Sequence, residues 1–272
     1  MTDHYAVIGR PINHTKSPLI HGLFAATTGQ DLEYGAIEGS PEDFAGDVQR
    51  FRSQGGQGLN VTAPFKLQAF QLATESSERA RLARAANALK FEGERVLAEN
   101  FDGIGLLRDI EVNLGQPLAG KRVLLLGAGG AVRGALLPFL AAGPTELVMA
   151  NRDKRKAAEL AQEINHPLLS VKGYAALEGE TFDLVVNATS ASLVGELPPV
   201  PAGVFTQAAL AYELAYGKGL TPFLRLAREQ GVAQLADGVG MLVEQAAEAF
   251  AWWRGVRPET RPVIDQLTFP LT

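Results

Sequence analysis

The chain has 272 residues, of which 46% are hydrophobic, enough for two modest cores, and a formal net charge of −5. That balance leaves no broad basic face for nucleic acid, and no apolar run approaches the roughly 20 residues that span a bilayer. The absence of cysteine excludes disulfides, thiol catalysis and thiolate zinc sites, and His4, His14, His21 and His166 form no His-x-x-x-His pair, so no metal site is expected.

The first residues carry no basic segment followed by an apolar core, which makes a soluble protein of the cytoplasm the expectation. Residues 4–8 read as a buried strand broken by Gly9-Arg10-Pro11. Ser17-Pro18 is a helix start, with Ser17 as N-cap and Pro18 at the first helical position, and Gly29 stops the helix. Capping alone accounts for Ser17, yet Thr15 and Ser17 also set two hydroxyls near a helix N-terminus, an arrangement suited to a carboxylate. A strand over residues 32–38 and a helix opening at 40–43, with Phe44, Val48 and Phe51 inward, continue the alternation. Residues 59–61 form the next strand and Pro64 the first turn of the next helix, which places Lys66 at a helix N-terminal end. The macrodipole disfavours a cation there by a few tenths to ~1 kcal/mol and eases loss of its proton; a solvated surface lysine is the competing reading. A helix over 77–86 and a hairpin of 87–92 and 95–99 around Gly93 follow, and then Asp102, an N-cap if nothing more, begins a helix over 104–114.

After a linker at 116–120, residues 123–126 are continuously apolar, the pattern of a strand buried on both faces. The chain then turns on Gly127, Gly129 and Gly130, and the helix opening near Ala131 points its positive end at the same spot. This is a pyrophosphate cradle in a Gly-x-Gly-Gly-x-x-x-Gly variant of the dinucleotide fingerprint. The strand over 146–150 ends in Asn151-Arg152, with Lys154, Arg155 and Lys156 close behind. An arginine where the ribose lies favours NADP over NAD, with Asp153 the discordant charge. A helix over 154–164 and strands over 168–171, 182–186, 209–214 and 232–236 complete the pattern; Asn187-Ala-Thr-Ser190 sits at a strand's carboxyl end, and residues 194–203 read as loop. Thr221-Pro222 caps a helix, and Asp237-Gly-Val-Gly-Met241 opens another that runs through Gln245, Ala249 and Trp253. Two α/β domains are the expected architecture.

The motifs Asn13 to Pro18, Asn60-Val-Thr-Ala-Pro-Phe-Lys66, Ala86-Asn-Ala-Leu89, Asn100-Phe-Asp-Gly103, Gly127-Ala-Gly-Gly-Ala131, Asn151-Arg152, Asn187-Ala-Thr-Ser190 and Asp237 to Gln245 occur in this order over nearly the whole chain. Together they resemble the shikimate dehydrogenase family. The resemblance implies NADP-dependent, reversible reduction of 3-dehydroshikimate to shikimate on the route to aromatic amino acids. It implies a substrate-binding catalytic domain over 1–103 and 238–272 and a Rossmann-like NADP-binding domain over 104–237. It assigns Lys66 and Asp102 to catalysis, Thr15 and Ser17 to the substrate carboxylate, and Thr62, Asn87, Tyr216 and Gln245 to the rest of the substrate. Gly127, Ala128, Gly129, Gly130, Ala131, Asn151, Arg152, Lys156, Thr189, Gly238 and Met241 fall to the cofactor, with Met241 against the nicotinamide. The implied partner is a small ring carboxylate, with neither nucleic acid nor membrane, and the protein a monomer or homodimer. Thr15 and Phe101 stand where the family usually has serine and threonine, Glu213 where it has aspartate, and Asp153 where it has threonine. Each is expected to narrow or re-charge a place near a ligand. Quinate or another ring hydroxy acid is therefore an alternative substrate, and a non-catalytic NADP-binding module an alternative role.

Overall fold

A computed structural model describes residues 2–217 and 219–271. The chain divides into two compact units, Met1–Gly105 with Val243–Gln266, and Leu106–Leu242 with Leu267–Thr272.

The first unit begins with β1 (Asp3–Gly9), α1 (Ser17–Thr28), β2 (Leu32–Glu38), α2 (Phe44–Ser53), β3 (Gly56–Val61), α3 (Lys66–Leu72), β4 (Glu75–Ser76), α4 (Glu78–Ala83), β5 (Ala88–Glu92) and β6 (Arg95–Glu99), and α5 (Asp102–Arg108) leads out of it. The strands form one sheet in the order β2-β1-β3-β5-β6-β4, parallel among β2, β1 and β3 and antiparallel through the β5/β6 hairpin. One face packs Ile8, Leu59 and Leu89 against Phe44, Val48 and Phe65; Tyr5, Ala88 and Phe101 meet Ala249 and Trp253 in a separate cluster. Ser17 is not the cap expected of it: Lys16 is the N-cap of α1, with no side-chain cap hydrogen bond, and Thr15 lies just before it. Thr15 Oγ1 accepts the Ser17 N–H at 3.3 Å and donates to Ser17 Oγ at 3.2 Å, while Ser17 is already the first helical residue. Pro64 precedes its helix, because the Phe65 N–H donates to Thr62 O at 3.0 Å and closes a turn, leaving Lys66 at the first helical position. Arg84, at φ 51°, ends α4 earlier than the sequence suggests. The helix expected over 104–114 starts at Asp102 and widens into a π-helical turn at Asp109–Asn113.

The second unit holds β7 (Arg122–Leu126), α6 (Gly130–Ala141), β8 (Glu146–Ala150), α7 (Lys154–Ile164), β9 (Leu169–Lys172), β10 (Leu184–Asn187), β11 (Leu210–Glu213), α8 (Pro222–Glu229) and β12 (Gln234–Asp237). All six strands are parallel, in the order β12-β11-β10-β7-β8-β9. Helices on both faces explain why β7, β8 and β10 read as unbroken apolar runs. Strand order reverses between β7 and β10, the place where such sheets bind ligands at their carboxyl edge. The boundary between the units falls within α9 (Val239–Arg254), and α10 (Arg261–Leu267), which the sequence pattern did not suggest, buries only Val263 and Ile264.

In the first unit His21 is 1% exposed and stacks on Tyr34 with ring centroids 4.0 Å apart and planes within 4°. Burial pushes its pKa down to about 3 from an ordinary 6.5. Between those values the unfolded chain binds the extra proton, so stability is fully present above pH 6.5 and is lost as pH falls toward 3. We expect acidification from pH 7 to 5 to cost about 2 kcal/mol through this group. Denaturant titrations of His21→Phe should show that part of the pH dependence removed; an unchanged acid slope would count against it.

In the second unit the buried Tyr212 hydroxyl donates to Asp109 Oδ2 at 2.7 Å and accepts the Met241 N–H at 3.3 Å, and Asn113 Nδ2 donates to Asp109 Oδ1 at 3.0 Å. Burial first, then the Asp109 carboxylate, raises the Tyr212 pKa well above its usual value, so the phenol keeps its proton and remains a donor. The approach is so close that a Cβ on Gly240 would lie 1.9 Å from Asp109 Oδ1. Tyr212→Phe leaves that carboxylate one donor short, and should lower unfolding stability in urea by about 1 to 3 kcal/mol.

Candidate functional site

The first unit assembles a connected polar network from residues far apart in sequence. Lys66, at the start of α3, lies with Nζ 2.6 Å from Asp102 Oδ2, the two side chains 33% and 12% exposed. Asp102, in the first turn of α5, takes a second hydrogen bond on Oδ1 from Asn87 Nδ2 at 2.8 Å. The Asn87 amide is oriented from both ends, since its Oδ1 accepts the Phe101 N–H at 2.8 Å and its Nδ2 also reaches Gln245 Oε1 at 3.1 Å. Gln245 reaches it because α9 passes tightly over Gly105, where a Cβ would stand 2.7 Å from the Gln245 backbone nitrogen. Asn100 Oδ1 accepts the Asp102 N–H at 3.1 Å and fixes the start of α5.

The network continues toward α1. Asn60 Nδ2 donates to Asn87 O at 3.3 Å, and Tyr34 donates to Asn60 Oδ1 at 2.6 Å. Lys66, Asp102, Asn87 and Gln245 are thus brought together, and Thr15 and Ser17 meet each other at the start of α1. Thr62 packs its methyl over Gly9, where a Cβ would come within 2.3 Å of it, and extends the edge of β3. Tyr34 and Asn60 were not assigned roles from sequence, although a polar Asn60 between Leu59 and Val61 in a buried strand was a usable signal. Phe101 does not place its ring beside the Asp102 carboxylate. The ring packs edge-on to Trp252 at 5.7 Å and under Arg79, and only its backbone N–H faces the network.

The second unit carries the other predicted residues at the carboxyl edge of its sheet. Gly127 has φ 120° and fits closely, a Cβ there being 3.1 Å from Ala188 O, while Cβ atoms at Gly129 and Gly130 would meet nothing within 4 Å. The Gly127 N–H is taken by Ala150 O at 2.7 Å, whereas the N-terminus of α6 has no side-chain cap and opens beside the free space at Gly129 and Gly130. That cradle fits a pyrophosphate. Asn151, Arg152 and Lys156 follow β8, and the Asp153 carboxylate caps α7 by accepting the Arg155 N–H at 3.0 Å. Its charge is therefore directed into its own helix, while Arg152 and Lys156 are exposed. Thr189 follows β10 and donates to Asn187 Oδ1 at 2.7 Å. Gly238 and Met241 open α9 within this unit; a Cβ on Gly238 would lie 2.1 Å from Leu214 O, so only glycine fits. Tyr216 belongs to the second unit, 41% exposed beside Gly217, whose N–H donates to Asp237 at 3.2 Å. Glu213, expected near a ligand, is instead fully buried. Among the described residues no group of His, Cys, Asp and Glu is placed to hold a metal ion, and no helix is long and apolar enough to cross a membrane.

Comparison with known proteins agrees with this geometry. The model of the shikimate dehydrogenase substrate binding domain matches residues 7–89, that of shikimate / quinate 5-dehydrogenase residues 110–194, and that of the shikimate 5'-dehydrogenase C-terminal domain residues 238–268. A shikimate dehydrogenase (NADP(+)) from Nitrosospira multiformis is 54% identical over 98% of each chain. The crystal structure of an Ael1 enzyme from Pseudomonas putida is 74% identical, with a TM-score of 0.99 over 100% of both chains. Shikimate 5-dehydrogenase from Thermus thermophilus, solved in complex with NADP(H) and shikimate, is 29% identical with a TM-score of 0.86 over 97% of this chain and 98% of that one. The chain belongs to the shikimate dehydrogenase family.

Proposed function

We propose that this protein catalyses the NADP-dependent, reversible reduction of 3-dehydroshikimate to shikimate, with Lys66 and Asp102 handling the hydroxyl proton. The observation that carries the reading is the 2.6 Å Lys66–Asp102 pair, held by Asn87, in a chain that also bears an uncapped glycine turn. NADP, when bound, supplies or accepts the hydride. In the direction of reduction, the Lys66 ammonium donates a proton to the oxygen of the carbonyl carbon that gains hydride; in oxidation, Nζ takes the hydroxyl proton back. Asp102 directs one N–H of the ammonium, leaving its remaining donors to face the substrate. Thr15 and Ser17 offer hydroxyl donors to the ring carboxylate, and Thr62, Asn87 and Gln245 meet the rest of the substrate.

The glycine turn and the N-terminus of α6 hold the pyrophosphate, Asn151, Arg152 and Lys156 the adenosine ribose and its 2′-phosphate, and Thr189, Gly238 and Met241 the remainder of the cofactor. Residues 1–103 with 238–272 then form the substrate domain and 104–237 the cofactor domain. The cytoplasm is the compartment we assign, with a monomer or homodimer as the working form. The matched relatives that are named NADP-dependent shikimate dehydrogenases support this substrate over quinate or a non-catalytic role.

Initial rates of NADPH formation from shikimate and NADP, crossed with quinate and NAD, test the reading directly. Lys66→Ala should lower kcat by about 10²- to 10⁴-fold with a much smaller change in KM. Unchanged turnover in that variant would remove Lys66 from the chemistry, and wild-type preference for quinate would replace the substrate.

A further inference from the structure

Glu213 ends β11 with its carboxylate fully buried, yet the chemistry assigned to this protein does not use it. Four donors converge on it. Oε2 accepts from Asn187 Nδ2 at 2.9 Å, from Thr221 Oγ1 at 3.2 Å and from the Ser192 hydroxyl, and Oε1 accepts the Ala215 N–H at 3.2 Å. The consequence lies one residue further on. With Nδ2 committed to Glu213, the Asn187 amide has a single possible orientation, and its Oδ1 accepts both the N–H and the hydroxyl of Thr189, at 3.1 and 2.7 Å. Thr189 Oγ1 in turn accepts the Ala191 N–H at 3.3 Å. Sheet hydrogen bonds hold the segment only at its start, where the Ala188 N–H donates to Leu126 O at 2.9 Å and Asn187 O accepts the Leu214 N–H at 3.0 Å; beyond that the carboxylate organises residues 187–192 through side chains.

That segment has a defined place. It leaves β10 where the strand order reverses beside β7, the general ligand crevice of an open parallel sheet, and Ala188 O stands 3.1 Å from where a Gly127 Cβ would be. Any drift of the segment changes the space beside the glycine turn. We infer that Glu213 is a positioning residue for the dinucleotide: without touching it, Glu213 holds residues 187–192 against the glycine turn and thereby sets NADP affinity. This rests on the NADP reading above and deepens it.

The test titrates NADP, without shikimate, into the full-length wild type, Glu213→Gln and Glu213→Leu by calorimetry, alongside thermal unfolding and the shikimate KM at saturating NADP. Leucine removes every acceptor, whereas glutamine keeps one carbonyl for Asn187 and turns an amide donor toward another donor. The expected result is an NADP Kd raised about tenfold in Glu213→Leu and about threefold in Glu213→Gln, with the shikimate KM within about twofold of wild type. A Kd within about twofold of wild type in Glu213→Gln, whatever its melting temperature, overturns the inference, as does an equal loss of shikimate and NADP binding. A wild type that binds no NADP overturns the cofactor reading itself, and the inference with it.

Discussion

The 2.6 Å contact between Lys66 Nζ and Asp102 Oδ2 is the point on which the N-terminal unit converges. The two helix starts involved are not equivalent. Asp102 sits in the first turn of α5, where the macrodipole favours a carboxylate, whereas Lys66 sits at the first position of α3, where it disfavours a cation. The ammonium is tolerated because the carboxylate faces it, and the carboxylate is tolerated because its other oxygen is satisfied by Asn87. Asn87 is in turn held by the backbone of Phe101, and its own N–H donates to Glu99 O at 3.0 Å. A buried charge pair contributes little stability by itself. Here it creates a demand for donors that three separate segments of chain must meet, and that demand is what fixes their geometry.

The same principle organises the second unit from a single strand end. Consecutive residues of a strand point to opposite faces, so Tyr212 and Glu213 at the end of β11 reach different neighbours. Tyr212 accepts the Met241 N–H at the start of α9 on one side, and Glu213 gathers Asn187, Ser192 and Thr221 on the other. The rest of the strand is apolar and packs into both core layers. Two polar side chains at its carboxyl end thereby hold the start of α9 and the chain leaving β10.

How much of this the sequence disclosed follows from the range of each interaction. The strands of the second unit were legible because burial on both faces imposes unbroken apolar runs, and the turn because Gly127, at φ 120° and close to Ala188 O, leaves little choice of residue. Helix edges were less legible. Ser17 before Pro18 is an acceptable cap by composition, yet the helix starts at Ser17 itself, with Lys16 as the N-cap. The α10 helix carries too short an apolar pattern to stand out, and a boundary inside α9 leaves no break in composition to mark it. Lys66, Asp102, Asn87 and Gln245 were singled out from sequence, but Tyr34 and Asn60, which lead on from Asn87, were not. The Tyr34–Asn60 and Asn60–Asn87 contacts join residues 26 and 27 positions apart, and no local pattern records them.

The four departures from the family pattern illustrate a related constraint: a motif position tells where the backbone runs, not which way the side chain turns. Phe101 interrupts Asn100 and Asp102, yet its ring joins Trp252 behind the network and its N–H contributes what any residue there would contribute. Glu213 turns into the core, and Asp153 folds back on the first turn of α7. Thr15 retains the hydroxyl that engages Ser17. None of the four removes a polar atom from the Lys66–Asp102–Asn87 set, so each acts as a packing, capping or positioning change behind an intact chemical arrangement. The electrostatic demand at the centre of the site selects the residues that face it, and the positions alternating with them are free to vary with the core.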